Sequence, residues 1–477
     1  MINDTVEKVN TNQEAVNPIT QGVIWKQLLL YFVPLLGASF LQLLYNTADT
    51  IIVGRFVGKT ALSAVGGSAG QIYAMITEFM IGVSGGAGVI LSQAYGARNR
   101  KLLDTGIHNA AALALALGTL FMTAGLIAAG PALQLAGAPA RTMRESVLYL
   151  RIVSCGLIPN ALYNMGASGL RAVGDSKRPF RFLLICSGLN IALDLIFVAV
   201  LGMGIEGAAL ATILSQSVSA LLVLRTLVRG SGRELIPRLN LRKVGLQKEM
   251  TLKMLRLGIP LGFDTLMYTF SCVVLTSAVN TFGTDTVAAY AGFVRIESFY
   301  WMLEAALAVS VTTFVGQNLG AGRMDRVRRV IREGAVVMYL FMGTTIVLMY
   351  AGCPVLLGLF TADAGVIEIG VDMMRYLLPF YILYVPSGVF FASLRGMGES
   401  LRPTLITFFG VCVLRILWVA FVFPRASSMR VLLFCFPVSW TITSVTYAFY
   451  YGWFMRKRAK KSGRENRSQD ARYFAQK

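Results

Sequence analysis

Residues 171–179 read Arg171-Ala172-Val173-Gly174-Asp175-Ser176-Lys177-Arg178-Pro179, and residues 395–403 read Arg395-Gly396-Met397-Gly398-Glu399-Ser400-Leu401-Arg402-Pro403. A second pair lies upstream of each: Gln93-Ala94-Tyr95-Gly96-Ala97-Arg98 returns as Gln317-Asn318-Leu319-Gly320-Ala321-Gly322. The offsets 395 − 171 and 317 − 93 are both 224. Helix-ending glycines and Arg-Pro turns would account for the composition of such segments, but not for a register shared by two different motifs. The chain is therefore read as a duplication. Within each copy Gly174 or Gly398 can leave a helix at positive φ, and Pro179 or Pro403 can begin the next one. Gln93 and Gln317 close the spans that precede them.

Working outward from these turns, apolar runs fill nearly the whole chain of 477 residues, of which 55% are hydrophobic and 14% charged. Mean hydropathy is +0.63. Soluble domains carry about 25% charged residues, and a bilayer core of about 30 Å asks for about 20 apolar residues per helix. Spans are expected at 28–54, 61–91, 105–130, 146–170, 179–201, 205–228, 255–280, 286–315, 331–352, 371–394, 403–424 and 430–455. Short alternating strands are missing from the pattern, so a barrel is rejected and an all-α membrane protein is expected. An offset that covers six spans keeps orientation, which makes the halves parallel repeats about an axis along the membrane normal. The expected parts are a tail 1–24, an N-lobe 25–228, a linker 229–253, a C-lobe 254–455 and a basic tail 456–477.

The net charge of +20 does not form a patch able to follow a phosphate chain, so no nucleic-acid partner is expected. Counted along the sequence, 34 of the 44 Lys and Arg fall in the tails and the even-numbered connections. That asymmetry places both termini in the cytoplasm and the chain in a bacterial inner (plasma) membrane. The run Arg456, Lys457, Arg458, Lys460 and Lys461 suits anionic lipid headgroups. Residues 1–20 are polar and mixed in charge, so the first span is expected to direct insertion. The linker, with Arg229, Arg233, Arg238, Arg242, Lys243, Lys248 and Lys253, is expected to let the lobes move as separate bodies. Six scattered cysteines without a CxxC pair suggest neither disulfide framework nor metal site.

Pro34 with Asp49 in span one, the stretch Val315-Gly316-Gln317-Asn318-Leu319-Gly320-Ala321-Gly322, the Gly-acidic-Ser turns and the pair Asn190 and Asp194 resemble the multidrug and toxic compound extrusion (MATE) family, in its bacterial DinF-like branch. The likeness covers residues 25–455. It implies a V-shaped pair of six-helix bundles of the MOP superfamily. Such a transporter exports cationic or amphipathic small molecules by alternating access, driven by H+ or Na+ and without a cofactor. It is expected to work as a monomer among membrane lipids.

Charges at helix-centre depth cost about 2.5–3.5 kcal/mol and so mark function. Asn190 and Asp194 stand one turn apart on span five. At about 1.5 Å per residue, Asp49, Asp194 and Thr212 all reach roughly 8–10 Å below the outer surface, where they can meet. Carboxylates with amide and hydroxyl oxygens suit sodium, or a pair whose repulsion lets one acid hold a proton. The resemblance implies Asp49, Asn190, Asp194 and Thr212 as the cation-coupling residues. Glu297 and Glu304 lie two turns apart on span eight, and Glu78 on span two is near the repeat position of Glu304. These acids are expected to line the central cleft with Tyr268, Tyr290, Tyr300, Trp301 and several methionines. Asn164 is a further cleft candidate. Asp264 stands one turn after Pro260, where some relatives carry an acid two turns on. His108 is expected at the interface, and Arg295 and Arg415 are expected to pair with acids or to reach the surface.

Two other classes were weighed. A flippase for lipid-linked saccharides needs a strongly cationic cavity for pyrophosphate, whereas these spans carry mainly acids. An intramembrane enzyme needs a His-Glu-x-x-His, paired aspartates with a glycine motif or a Ser/His dyad, none of which the sequence contains.

Overall fold

The computed structural model describes residues 17–230 and 238–475. Most of the N-terminal tail (1–16), linker residues 231–237 with Arg233, and residues 476–477 lie outside the described residues. In lipid a helix is the only open structure that satisfies its own backbone, and each apolar run takes that form. The spans are α1 (Ile24–Phe56), α2 (Ala61–Gly96), α3 (Arg100–Leu135), α4 (Met143–Ser154 with Leu157–Ala172), α5 (Lys177–Val200), α6 (Gly204–Arg229), α7 (Lys248–Phe282), α8 (Thr284–Gly320), α9 (Met324–Gly358), α10 (Ala364–Gly396), α11 (Leu401–Arg425) and α12 (Met429–Lys460). The span expected at 146–170 is present as α4, and its two parts are bent by 47°. Pro159 offers no N–H to the carbonyl of Cys155, and Gly156 lies at the break.

The duplication is visible in the helix starts. Ile24 and Lys248, Arg100 and Met324, and Lys177 and Leu401 are each 224 apart. Gly174 and Gly398 end their helices at φ 87° and 86°. Gly322 does so at φ 70°, and its counterpart Arg98 takes the same left-handed turn at φ 52° as a non-glycine residue.

The halves meet where α2 packs along α7 and α1 along α8. On α2, Gly82 and Gly86 are one turn apart, as are Gly258 and Gly262 on α7. A methyl group added to Gly82 would land on the backbone of Gly262, and one added to Gly86 on that of Gly258. Helices in lipid gain little from apolar burial against one another, so close backbone contact through small residues supplies the attraction.

An even number of spans brings both ends of the chain to one face, and there the halves are fastened. Gln93 Nε2 donates to the carbonyl of Gly396 at 2.9 Å. Gln317 Nε2 donates to the carbonyl of Ala172 at 2.7 Å. Since 317 − 93 and 396 − 172 are both 224, these are one bond made twice, each copy reaching into the turn of the other. Gly96 and Gly320 lie beneath, where a methyl group would meet the carbonyls of Gln317 and Gln93. The sequence showed these glutamines only as span ends. The segment before α1 adds to the seal on one side: Asn17 Nδ2 donates to Gln317 Oε1 at 3.0 Å, and Arg326 Nη2 to the carbonyl of Gly22 at 2.8 Å.

The described part of the linker is not the free tether expected from its composition. His108 is buried on α3. Its Nδ1 faces the carbonyl of Asp104 at 2.8 Å, and its Nε2 accepts the Asn240 N–H at 2.9 Å. Its neighbour Asn109 accepts from the Gln247 N–H at 2.7 Å and from Thr251 Oγ1 at 2.9 Å. His108 and Asn109 therefore form a clasp that ties the linker and the start of α7 to α3.

Two outcomes check this architecture. Gly86→Leu overpacks the α2–α7 crossing and should cost at least about 1–3 kcal/mol, whereas Gly130→Ala, which meets nothing within 4 Å, should be neutral or gain up to about 1 kcal/mol, both read from thermal unfolding in detergent. Losing one hydrogen bond costs about 0.5–1.5 kcal/mol, so Gln93→Ala or Gln317→Ala should speed deuterium exchange at residues 93–98 and 317–322 by about 2- to 12-fold; unchanged exchange in both would show that the bonds do not hold the face shut.

Candidate functional site

In the first half, α5 keeps α-helical pitch to Asp194 and then widens to a π-helix over Leu195–Val200. Such widening frees backbone groups and re-aims side chains, and it recurs at functional sites. Asn190 and Asp194 point inward, at 2% and 0% exposure. Asp49 comes from α1, in electrostatic reach of Asp194. Tyr149 and Tyr45 border the acids. Tyr73 is held by Gln216, whose Nε2 donates to the phenol oxygen at 2.9 Å.

The polar atoms here lack partners. Asp49 Oδ1, both carboxylate oxygens of Asp194 and both amide atoms of Asn190 are buried without a hydrogen bond among the described residues. Buried carboxylates are costly unless paired, so such a cluster persists where a visiting cation supplies what the protein does not. Thr212 does not join them by a hydrogen bond; its hydroxyl donates to the Ala208 carbonyl at 3.0 Å within α6. Among the described residues no group of three His, Cys, Asp or Glu is arranged for a metal ion, so a bound sodium would depend on the amide oxygen of Asn190 beside the two carboxylates.

α1 is interrupted on its way to the site. Pro34 removes a backbone bond inside the helix. Beyond it, α1 has no fully buried residue between Leu35 and Ile52.

Across the two halves the cleft candidates do not form the single group expected. Glu78 is exposed on α2, near Tyr45. Glu304 lies against Gly388, with Asp264 and the guanidinium of Arg395 in electrostatic reach. Glu297 is buried, with Oε1 accepting from Trp301 Nε1 at 2.7 Å. Tyr300 does not face a cleft: it is fully buried, donates to the Tyr381 carbonyl at 3.0 Å and meets that residue's ring edge-to-face with centroids 4.7 Å apart. Trp301 joins the same cluster, 4.9 Å from Tyr384 and 6.2 Å from Tyr268. Asn164 is occupied by Asn160 on its own helix, at 2.9 Å.

Arg415 neither pairs with an acid in a salt bridge among the described residues nor reaches the surface. It is fully buried, its Nε donating to Ser439 Oγ at 3.1 Å, with its guanidinium 4.2 Å from the centre of the Phe436 ring. Arg395, read from the sequence as part of a turn, instead neighbours Asp264 and Glu304. Its place in the duplicated motif was legible, but its inward direction was not.

The MatE family profile matches residues 34–196 and, a second time, residues 260–421. The chain belongs to the MatE family. Each match to the MatE profile begins at a proline, Pro34 of α1 or Pro260 of α7, in keeping with the duplication. Among MatE relatives, the chain is 29% identical over 444 residues to the probable multidrug resistance protein YoeA of Bacillus subtilis, covering 91% of this chain and 95% of that one. It is 29% identical over 413 residues to the probable multidrug resistance protein NorM of Thermotoga maritima, covering 84% and 86%. The fold matches the outward-facing structure of a multidrug resistance MATE family transporter with a TM-score of 0.85 at 24% identity, over 93% of this chain and 98% of that one.

Asp194→Asn removes a buried charge without changing shape. At pH 8 the thermal midpoint of the purified protein should rise by the equivalent of about 1–3 kcal/mol, and Asp49→Asn should act in the same sense. A fall in both would mean that the carboxylates already have a stabilising partner.

Proposed function

We propose that this MATE protein exports cationic or amphipathic small molecules from a bacterial cell, using the entry of protons or sodium ions at Asp49, Asn190 and Asp194. The observation that carries the proposal is the set of buried, partnerless carboxylate oxygens on two helices, one of which is loosely held. The names of the curated relatives, multidrug resistance proteins, support the cargo class.

The proposed cycle follows from charge. With the site empty, two acids at close range repel, and α1 yields because its middle is weakly packed beyond Pro34. A proton or sodium ion cancels part of that repulsion and lets α1 close on α5. Movement of α1 is passed to α8, against which it packs, and so to the glutamine fastening at the terminal face. The distribution of Lys and Arg supports placing that face in the cytoplasm. Cargo then enters from the cytoplasm when the fastening parts, and leaves outward when it is made. Glu78, exposed on α2, and the half-buried Tyr268 and Trp301 offer a cation an acid and aromatic faces. A single chain holds both halves of the path, so the monomer is the working unit.

The test is efflux of a cationic dye in inverted vesicles with the proton and sodium gradients imposed separately. Asp49→Asn and Asp194→Asn should each reduce gradient-driven transport about tenfold or more, within the 5- to 150-fold range of a coupling energy of about 1–3 kcal/mol. The gradient that drives wild type identifies the ion, and undiminished transport in both variants would remove these residues from the coupling.

A further inference from the structure

The two halves repeat in sequence and in fold, but not in charge. In α11 a π-helical segment, Phe408–Val413, occurs where α5 is still α-helical. Such a segment adds one residue to the turn, so beyond it the register between halves moves from 224 to 225. The starts of the following helices agree, since Gly204 of α6 and Met429 of α12 are 225 apart. On that count 415 − 190 is also 225, and Arg415 occupies in the second half the place that Asn190 occupies in the first.

The partnerless atoms invert with it. In the first half they include the carboxylate oxygens of Asp49 and Asp194, which only accept. Around Arg415 they include its own Nη1 and Nη2 and the Nε1 of Trp440, which only donate, together with the hydroxyl of Tyr381, which can do either. The guanidinium lies 5.9 Å from the ring centres of both Tyr268 and Trp440, in addition to its contact with Phe436. Glu297 is in electrostatic reach, yet no salt bridge forms among the described residues, and one of its oxygens is already taken by Trp301. The result is a fixed positive charge in an aromatic enclosure with two N–H groups free to donate in the plane of the fork.

We infer that Arg415, with Trp440 beside it, is a binding site for a small monovalent anion, either a free halide or the carboxylate of a cargo molecule. A forked guanidinium matches a carboxylate in two parallel hydrogen bonds and a halide in a bifurcated one. Aromatic walls screen the charge from water and make the site selective for a small, weakly hydrated anion. The protein would then hold a cation site in one half and an anion site at the equivalent place in the other. This inference does not depend on the coupling role of Asp49 and Asp194.

The experiment is done on the full-length protein in detergent, without a gradient. Sodium bromide is titrated against sodium gluconate at constant ionic strength while tryptophan fluorescence is followed, because Trp440 and Trp301 border the site. Wild type should show a saturable bromide quench, absent with gluconate. Arg415→Gln should leave only the linear collisional component, Arg415→Lys should retain weakened saturation, and Glu297→Gln should tighten bromide binding by about tenfold. Competition by sodium formate or acetate identifies a carboxylate site, and saturation without competition identifies a halide site. Should Arg415→Gln fail to fold, the wild-type and Glu297→Gln titrations still decide. A strictly linear quench in wild type, or an equal saturable quench in Arg415→Gln, overturns the inference.

Discussion

Two pairs of glycines, Gly82 with Gly86 and Gly258 with Gly262, let α2 and α7 touch backbone to backbone, and the rest of the molecule is arranged around that contact. In lipid there is no apolar driving force to hold two bundles together, so proximity itself must supply the attraction. The crossing fixes how far apart the halves can lie. It thereby brings Gln93 within reach of Gly396 and Gln317 within reach of Ala172.

The two halves share a scaffold but not the charges placed on it. The first half keeps acids on α1 and α5 within an enclosure bordered by tyrosines. The second half keeps a guanidinium on α11 within a larger aromatic cluster that includes Trp301, Tyr381 and Trp440. Where acids do occur in the second half, Arg395 is in electrostatic reach of both Asp264 and Glu304. Identical helices can thus carry different ionic tasks, because a charge in a bilayer acts over longer distances than it would in water.

Much of this was legible in the residues. The offset of 224, the twelve spans and the inward acids Asp49 and Asp194 followed from periodicity, length and the cost of buried charge. What stayed hidden needed a third dimension or a register change. The partner of Gln93 is 303 residues away and is a carbonyl, which has no signature in sequence. The acceptor role of His108 depends on a linker folding back onto α3, which no local pattern announces. The kink of α4 was written in Gly156 and Pro159, though hydropathy alone smooths over it. Tyr300 and Arg415 were misread for one reason: the pattern of a helix tells which residues share a face, but not what that face meets.

The glutamine fastening says something about ancestry. Because each copy contributes one donor and one carbonyl, a lone six-helix unit holds both parts of the clasp and could close upon a twin about a true dyad. Fusion of two such genes would preserve the joint at no structural cost, and would free each twin to drift. The segment from Asn17 to Gly22, which reaches Gln317 and has no counterpart on Gln93 among the described residues, is where the two sides of the joint differ.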